Sequence, residues 1–344
     1  MTEHAAARLD ADRIEKYLEA HVEGFRGPIE LEKTPHGQSN PTFILTAASG
    51  RYVLRRKPPG ELLKSAHAVD REFRVQKALA GSDVPVARMY HLCEDEDIVG
   101  SMFYVMECVD GEVHFDPRLP DKPAETRAHM FDQMNRVLAA LHDVDYQAVG
   151  LGDFGRPGSY FARQVGRWSK QYRASETETI SDMDALISWV EANLPEDDGI
   201  TTLVHGDYRI DNMIYARDGS SVLAVLDWEL STLGHPFSDL AYQCMQWRMP
   251  VGEEGRGFGE EDRTALGIPS EQAYVDRYCE RRGLSGIPIF DFCLAFSFFR
   301  MAAIVQGVKK RGLDGNASNP ERALRMGEYV PVFARMGLEA ARGA

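Results

Sequence analysis

The chain lacks the cysteine patterns of metal-thiolate and disulfide proteins. Its five cysteines, Cys93, Cys108, Cys244, Cys279 and Cys293, show no paired spacing across 344 residues, and neither CxxC nor HExxH occurs. Neither a disulfide framework nor a zinc site is indicated, and a reducing cytoplasm is the expected compartment. No GxxxxGK[ST] segment occurs, which sets aside a P-loop enzyme. Positive charge is scarce: 39 Lys and Arg stand against 53 Asp and Glu, a net −14. With no long basic run carrying interleaved aromatics, a nucleic-acid partner is not expected. The N-terminus has no apolar signal-peptide core and reads instead as an amphipathic helix through Leu9, Ile14, Tyr17, Leu18 and Val22. The apolar stretch 287–307 is interrupted by Asp291 and Arg300, leaving too few clean positions to span a bilayer. A buried helix is expected there, and no membrane partner. Oligomeric state leaves no trace in the sequence.

What is present is a phosphoryl-transfer pattern. HGDYRIDNMIY, residues 205–215, sets Asp207 and Asn212 five positions apart after His205, and Asp227 follows in LDWE. A hydroxyl attacking a γ-phosphate needs an oriented carboxylate, and magnesium needs hard oxygen ligands that leave room for phosphate oxygens. Asp207 suits the first task; Asn212 and Asp227 suit the second. The order matches a kinase catalytic loop, H-R-D, four positions, Asn, then a later metal-binding Asp, except that Gly206 replaces the arginine. That replacement points to a small-molecule kinase without a phosphorylated activation loop, and no APE segment follows the metal aspartate. TLV, NMIY and SVLAV read as short strands whose ends deliver these groups to one Mg2+.

With 44% apolar residues the length allows two modest cores. The expected division is an N-lobe over 1–109, with a nucleotide-binding sheet, and a helical C-lobe over 110–344, with the catalytic loop and the substrate pocket. IELEKT, TFILTA and RYVLRR alternate as strands, with a turn at Ser49 and Gly50. A helix from about 65 to 80 turns Val69, Phe73, Gln76 and Leu79 inward with Glu72 among them, and VARMYHLC and FYVMECV complete the sheet. Arg55 stands where a VAIK-type strand presents its lysine, and Glu72 is its natural partner, although Arg56 and Lys57 are equally plausible cations. The loop Gly37, Gln38, Ser39 and Asn40 is placed to cover phosphates, and Glu107 and Val109 are placed to meet an adenine edge. The cosubstrate is then ATP, with GTP as the alternative. Asp153, Phe154 and Gly155 spell DFG but precede the catalytic loop, and residues 255–259 form a glycine-rich run with no flanking strand; both read as loops.

These motifs resemble those of the aminoglycoside phosphotransferase-like, or choline-kinase-like, small-molecule kinases. The match covers most of the chain, and its specific part is HGDYRIDNMIY with DWELSTLGHPFSDLAY. The resemblance implies an α+β, bilobal protein-kinase-like fold, with a small antiparallel-sheet N-lobe and a larger, mainly helical C-lobe. It also implies that Asp239, with His205, supports the catalytic loop. YVLRRKPPG, HGDYRIDN and DWELSTLGHP are most similar to the kinase-like domain at the front of certain multidomain acyl-CoA dehydrogenases and to its stand-alone bacterial relatives. That resemblance implies a hydroxyl on an acyl compound, such as a hydroxyacyl-CoA, as acceptor. Arg163, Arg167 and Lys170 at helical spacing form a basic face suited to an anionic substrate or to solvent, and Trp247 and Arg300 are further substrate candidates. Two rivals stand beside this reading: an aminoglycoside-type antibiotic kinase, which an acidic pocket would favour, and a nucleotide-binding pseudokinase acting as an interaction module.

Overall fold

The computed structural model describes residues 9–34, 40–58, 68–252, 256–259, 262–317 and 319–343. The chain divides into two compact units, Met1–Asp110 with Leu223–Glu229, and Gly111–Val222 with Leu230–Ala344. The segment that carries Asp227 therefore belongs to the first unit, although it follows the catalytic loop in sequence.

The first unit begins with α1 (Ala11–His21), capped by the Asp10 carboxylate, which accepts from the Arg13 amide at 3.1 Å. Strands β1 (Ile29–Lys33), β2 (Thr42–Ala47) and β3 (Gly50–Arg56) follow, then α2 (Val69–Leu79), β4 (Met89–Cys93), the single turn α3 (Glu96–Val99) and β5 (Phe103–Glu107). They make one antiparallel sheet in the order β1-β2-β3-β5-β4. The β2–β3 turn lies at Ala48 and Ser49, one residue earlier than expected, because Gly50 already pairs with Ala47 at φ +140°.

Strand periodicity gives this sheet two different faces. Tyr52 and Leu54 join α1, Phe103 and Val105 on one side, whereas Val53 packs with Val69 and Phe73 of α2 on the other. Arg55 falls on the α2 side, and Arg56 points the opposite way, buried, donating to the Val99 carbonyl at 2.6 Å. The alternation thus separates two neighbouring arginines that the sequence left equivalent.

The second unit holds α4 (Ala124–Asp143), α5 (Tyr160–Ser175), α6 (Ser181–Ala192), β6 (Thr202–Val204) and β7 (Met213–Tyr215). Strand β8 (Val222–Val225) leads into Asp227, and β9 (Thr232–Gly234) pairs antiparallel with β6. The remainder is helical: α7 (Pro236–Cys244), α8 (Arg263–Leu266), α9 (Glu271–Arg282), α10 (Phe290–Leu313), α11 (Pro320–Gly327) and α12 (Val330–Ala340). Among the described residues α10 alone is long and apolar enough to cross a membrane, and 78% of its most apolar window is buried against the rest of the protein. It packs on α5, α7, α11 and α12, so its apolar side chains serve as core.

Candidate active site

In the second unit, β6 runs into the His205–Asn212 loop, and Gly206 adopts φ +84° there. A Cβ at this position would lie 2.7 Å from the Leu230 carbonyl oxygen. Backbone angle and close approach both demand glycine, which accounts for the missing arginine of the kinase triplet.

The Gly206 peptide is clamped on both sides. Asp239, in the first turn of α7, accepts the His205 amide at 2.5 Å and the Gly206 amide at 2.9 Å, while Arg300 from α10 donates to the Gly206 carbonyl at 2.7 Å. Burial acts to raise the Asp239 carboxyl's pKa, but His142 and the His205 amide outweigh it and hold the group below the usual carboxylate range. The His142 imidazole lies 3.6 Å from Asp239 and hydrogen-bonds the Tyr278 hydroxyl at 2.7 Å. Tyr208, fully buried, donates to the Met134 carbonyl at 2.8 Å and ties the loop to α4.

These braces present Asp207. One carboxylate oxygen accepts the Tyr242 hydroxyl at 2.5 Å and faces Arg209 Nε at 3.2 Å; the other accepts Asn212 Nδ2 at 3.0 Å. Burial again raises, but Arg209, the Tyr242 hydroxyl, His205 and Arg300 together keep the Asp207 pKa below its ordinary value. The group is therefore an ionised carboxylate at neutral pH, already aimed. Asn212 also donates to the Asp207 carbonyl at 2.9 Å. Its nitrogen is committed inward and its Oδ1 remains an acceptor, the hard oxygen a magnesium ligand requires.

In the first unit, Arg55 Nε lies 3.0 Å from Glu72, and Arg55 Nη2 donates to Asp227 Oδ1 at 2.7 Å. Glu72 is buried and also accepts Asn40 Nδ2 at 2.6 Å and the Tyr104 hydroxyl at 3.0 Å. Burial opposes the charge on Arg55, yet Glu72, Tyr104 and Asp227 raise its pKa above the usual value, so the cation persists. Asp227 adopts φ +61°, a left-handed conformation that costs a non-glycine residue about 1–2 kcal/mol. Its side chain remains 32% exposed, so a carboxylate oxygen is open to a cation. Asn212 and Asp227 each carry an oxygen of the kind magnesium takes, and each belongs to a different unit.

The remaining expected residues fall into four groups. Gly37, Gln38 and Ser39 lie outside the described residues. Glu107 gives its amide to the Arg88 carbonyl at 2.9 Å, and Val109 is half-buried just beyond β5. Of the basic face on α5, Arg167 and Lys170 are exposed, whereas Arg163 donates back to the Arg156 carbonyl at 2.5 Å.

Trp247 and Arg300, expected among the substrate candidates, occupy packing and bracing positions. The Trp247 indole is buried edge-on against Phe131 and Phe258 and donates to the Pro269 carbonyl at 2.7 Å. Arg300 is buried between the rings of Trp168 and Tyr242, with its donor on Gly206. The DFG triplet at 153–155 is a packed loop: Phe154 is buried, and a Cβ on Gly155 would meet the Leu233 amide nitrogen at 2.6 Å.

Sequence reasoning missed Tyr242, Arg209 and His142. Tyr242 stands one helical turn after Asp239, a spacing that would have placed both on the loop's side of α7. No sequence signal marks His142, which arrives from α4.

The family model of the APH phosphotransferase enzyme family matches residues 30–272. Mouse acyl-CoA dehydrogenase family member 10 is 49% identical over 335 residues, covering 97% of this chain and 31% of that protein. Rat acyl-CoA dehydrogenase family member 11 is 41% identical, covering 97% and 44%. The chain thus spans less than half the length of these curated relatives. A crystal structure from Ralstonia eutropha JMP134, provisionally described as an aminoglycoside phosphotransferase, superposes with a TM-score of 0.89 at 49% identity, covering 98% of this chain and 99% of that one. A thermostable mutant of the aminoglycoside phosphotransferase APH(4)-Ia, in complex with ADP and hygromycin B, shares the fold at a TM-score of 0.63 and 14% identity, with 96% and 99% covered. With its five-stranded antiparallel sheet, helical second unit and family match, the chain has a protein-kinase-like fold and belongs to the APH phosphotransferase enzyme family.

Proposed function

We propose that the chain is an ATP-dependent kinase that transfers the γ-phosphate to a hydroxyl of a small metabolite, with an acyl compound such as a hydroxyacyl-CoA as acceptor. The observation that carries the transfer chemistry is Asp207: ionised, oriented by Tyr242 and Asn212, on a loop whose backbone is fixed by Asp239 and Arg300. In that role Asp207 orients the acceptor hydroxyl and takes its proton as the oxygen attacks. Asn212 and Asp227 carry the oxygens that would take Mg2+, which would supply charge neutralisation for the transferring phosphoryl group. Arg55, steadied by Glu72, neutralises the nucleotide phosphates, and its planar fork replaces the point charge of a lysine. Asn40 steadies Glu72, and Glu107 and Val109 meet the base.

The acyl acceptor is supported by the names of the relatives, members of an acyl-CoA dehydrogenase family, and by the exposed Arg167 and Lys170 on α5. The description of the Ralstonia protein favours an antibiotic kinase. Against that second reading, the charged side chain on Asp207 is the cation Arg209, a poor neighbour for a polycationic drug. ADP release measured across hydroxyacyl-CoAs, free hydroxy acids, amino alcohols, sugars and aminoglycosides tests the reading. The expected result is turnover concentrated in the hydroxyacyl compounds. Turnover confined to aminoglycosides would replace it, and magnesium-dependent ATP binding with no turnover on any compound would favour a pseudokinase.

A further inference from the structure

Residues 256–259, from the glycine-rich run, have no part in nucleotide binding as proposed above, yet they are built with unusual constraint. Gly257 passes so close to Met249 that a Cβ would lie 2.0 Å from the Met249 carbonyl oxygen. Beside it, Arg256 holds φ +52°, a region that costs a non-glycine residue free energy. The backbone is pinned there by Arg256 N–H to the Gly252 carbonyl at 2.9 Å and Gly257 N–H to the Pro250 carbonyl at 3.0 Å. Strain imposed on one arginine by a fixed loop suggests that the position of its side chain matters.

That side chain reaches the catalytic loop. Arg256 Nη1 donates at 2.9 Å to Asp211 Oδ2, the same oxygen that Arg209 Nη2 meets at 3.2 Å, while Arg209 Nε faces Asp207 at 3.2 Å. Two guanidinium groups therefore share one carboxylate oxygen, four residues beyond the catalytic aspartate. Among the described residues Asp211 is the one carboxylate bonded to Arg256, whose side chain is 30% exposed. Burial and the neighbouring Arg209 lower the Arg256 pKa against the pull of Asp211, as expected for a cation short of counter-charge.

We propose that Arg256, together with Arg209, reads a carboxyl-derived oxygen on the acceptor, so that the phosphorylated hydroxyl belongs to a hydroxy acid or its thioester. This rests on the acyl-acceptor reading above and adds the residues that enforce it. Free carboxylate and thioester carbonyl share the required chemistry, an oxygen that accepts from a planar guanidinium fork. A polycationic acceptor would meet like charge at the same place.

The test uses matched acceptors of one chain length, the hydroxyacyl-CoA, the free hydroxy acid and the corresponding diol, with the wild-type chain, Arg256→Gln and Arg256→Lys. The wild type is expected to favour the better of the two carboxyl compounds over the diol by at least about tenfold in kcat/KM. Arg256→Gln should raise the KM for that acceptor about tenfold and collapse the preference, while the KM for ATP moves less than about twofold; Arg256→Lys should restore part of the preference. Whether thioester or acid is the better substrate identifies the source of the oxygen. A diol used as well as either carboxyl compound, or an Arg256→Gln loss that is equal for all three, would overturn the assignment to Arg256 while leaving the kinase reading intact. No turnover of either carboxyl compound, with turnover of an amino alcohol or aminoglycoside, would overturn the acyl-acceptor reading and this inference with it.

Discussion

The two units secure their functional side chains by different means. In the first, Arg55, Glu72, Asn40, Tyr104 and Asp227 meet side chain to side chain, on a sheet and helix whose backbones are fixed by their own cores. In the second, Asp239 and Arg300 act on backbone, bonding the amides of His205 and Gly206 and the carbonyl of Gly206. The first arrangement adjusts a charge; the second sets the course of a loop. Losing a contact should therefore change nucleotide affinity in one unit, and turnover or folding in the other.

The largest expected effect is at Asp239. Asp239→Ala leaves two buried amides without acceptors and His142 without its carboxylate, and removing one member of such a buried pair costs about 3–5 kcal/mol. Chemical denaturation should show the unfolding free energy falling by that amount, and an unchanged free energy would break the comparison at its strongest point. Arg300→Met comes next: the Gly206 carbonyl loses its donor, and kcat should drop by roughly two orders of magnitude as Asp207 shifts, with KM for ATP nearly constant. A change confined to KM for ATP would place Arg300 in the wrong class. In the first unit, Glu72→Gln leaves Arg55 with Asp227 as its remaining carboxylate of the two, and the KM for ATP should rise about tenfold, near 1.4 kcal/mol. Thermal stability should change far less than for Asp239→Ala.

The smallest effect is a shift in pH dependence. Because the folded Asp207 lies below its ordinary pKa, the base form is present down to acidic pH and is lost only as pH falls through that lowered value. Activity limited by this group should stay flat from neutrality down to about pH 5. Tyr242→Phe removes one of the contacts that hold the pKa down, so the acid limb of kcat/KM should move to higher pH. A limb that does not move would show that Tyr242 contributes position alone.

The same contrast explains what the sequence disclosed. The first unit was legible because its elements are local and periodic: alternation in 42–47 and 50–56 defines the hairpin, and Glu72 stands among the inward residues of α2. Even the choice between Arg55 and Arg56 follows from period two once one face of β3 is known. In the second unit the residues proposed to act, Asp207 and Asn212, were legible because they lie within one short segment, but their supports were not. Arg300 acts on a loop 94 residues away, and from its own neighbourhood in an apolar helix it reads as an interruption or a substrate residue. His142 and Tyr278 lie on α4 and α9 with no motif around them. Helix packing, which composition does not encode, brings them to the loop. Gly206 was noted as a missing arginine, and its cause, the Leu230 carbonyl 2.7 Å from a hypothetical Cβ, is visible only in three dimensions.

The central claim is that Asp207, held by the second unit, performs the transfer chemistry. It is tested most directly by following labelled γ-phosphate from ATP to a hydroxyacyl acceptor with wild type and Asp207→Asn, while nucleotide affinity and melting temperature are measured on the same preparations. The account predicts a loss of about three orders of magnitude in transfer, with nucleotide affinity and folding retained; equal transfer by Asp207→Asn would contradict it.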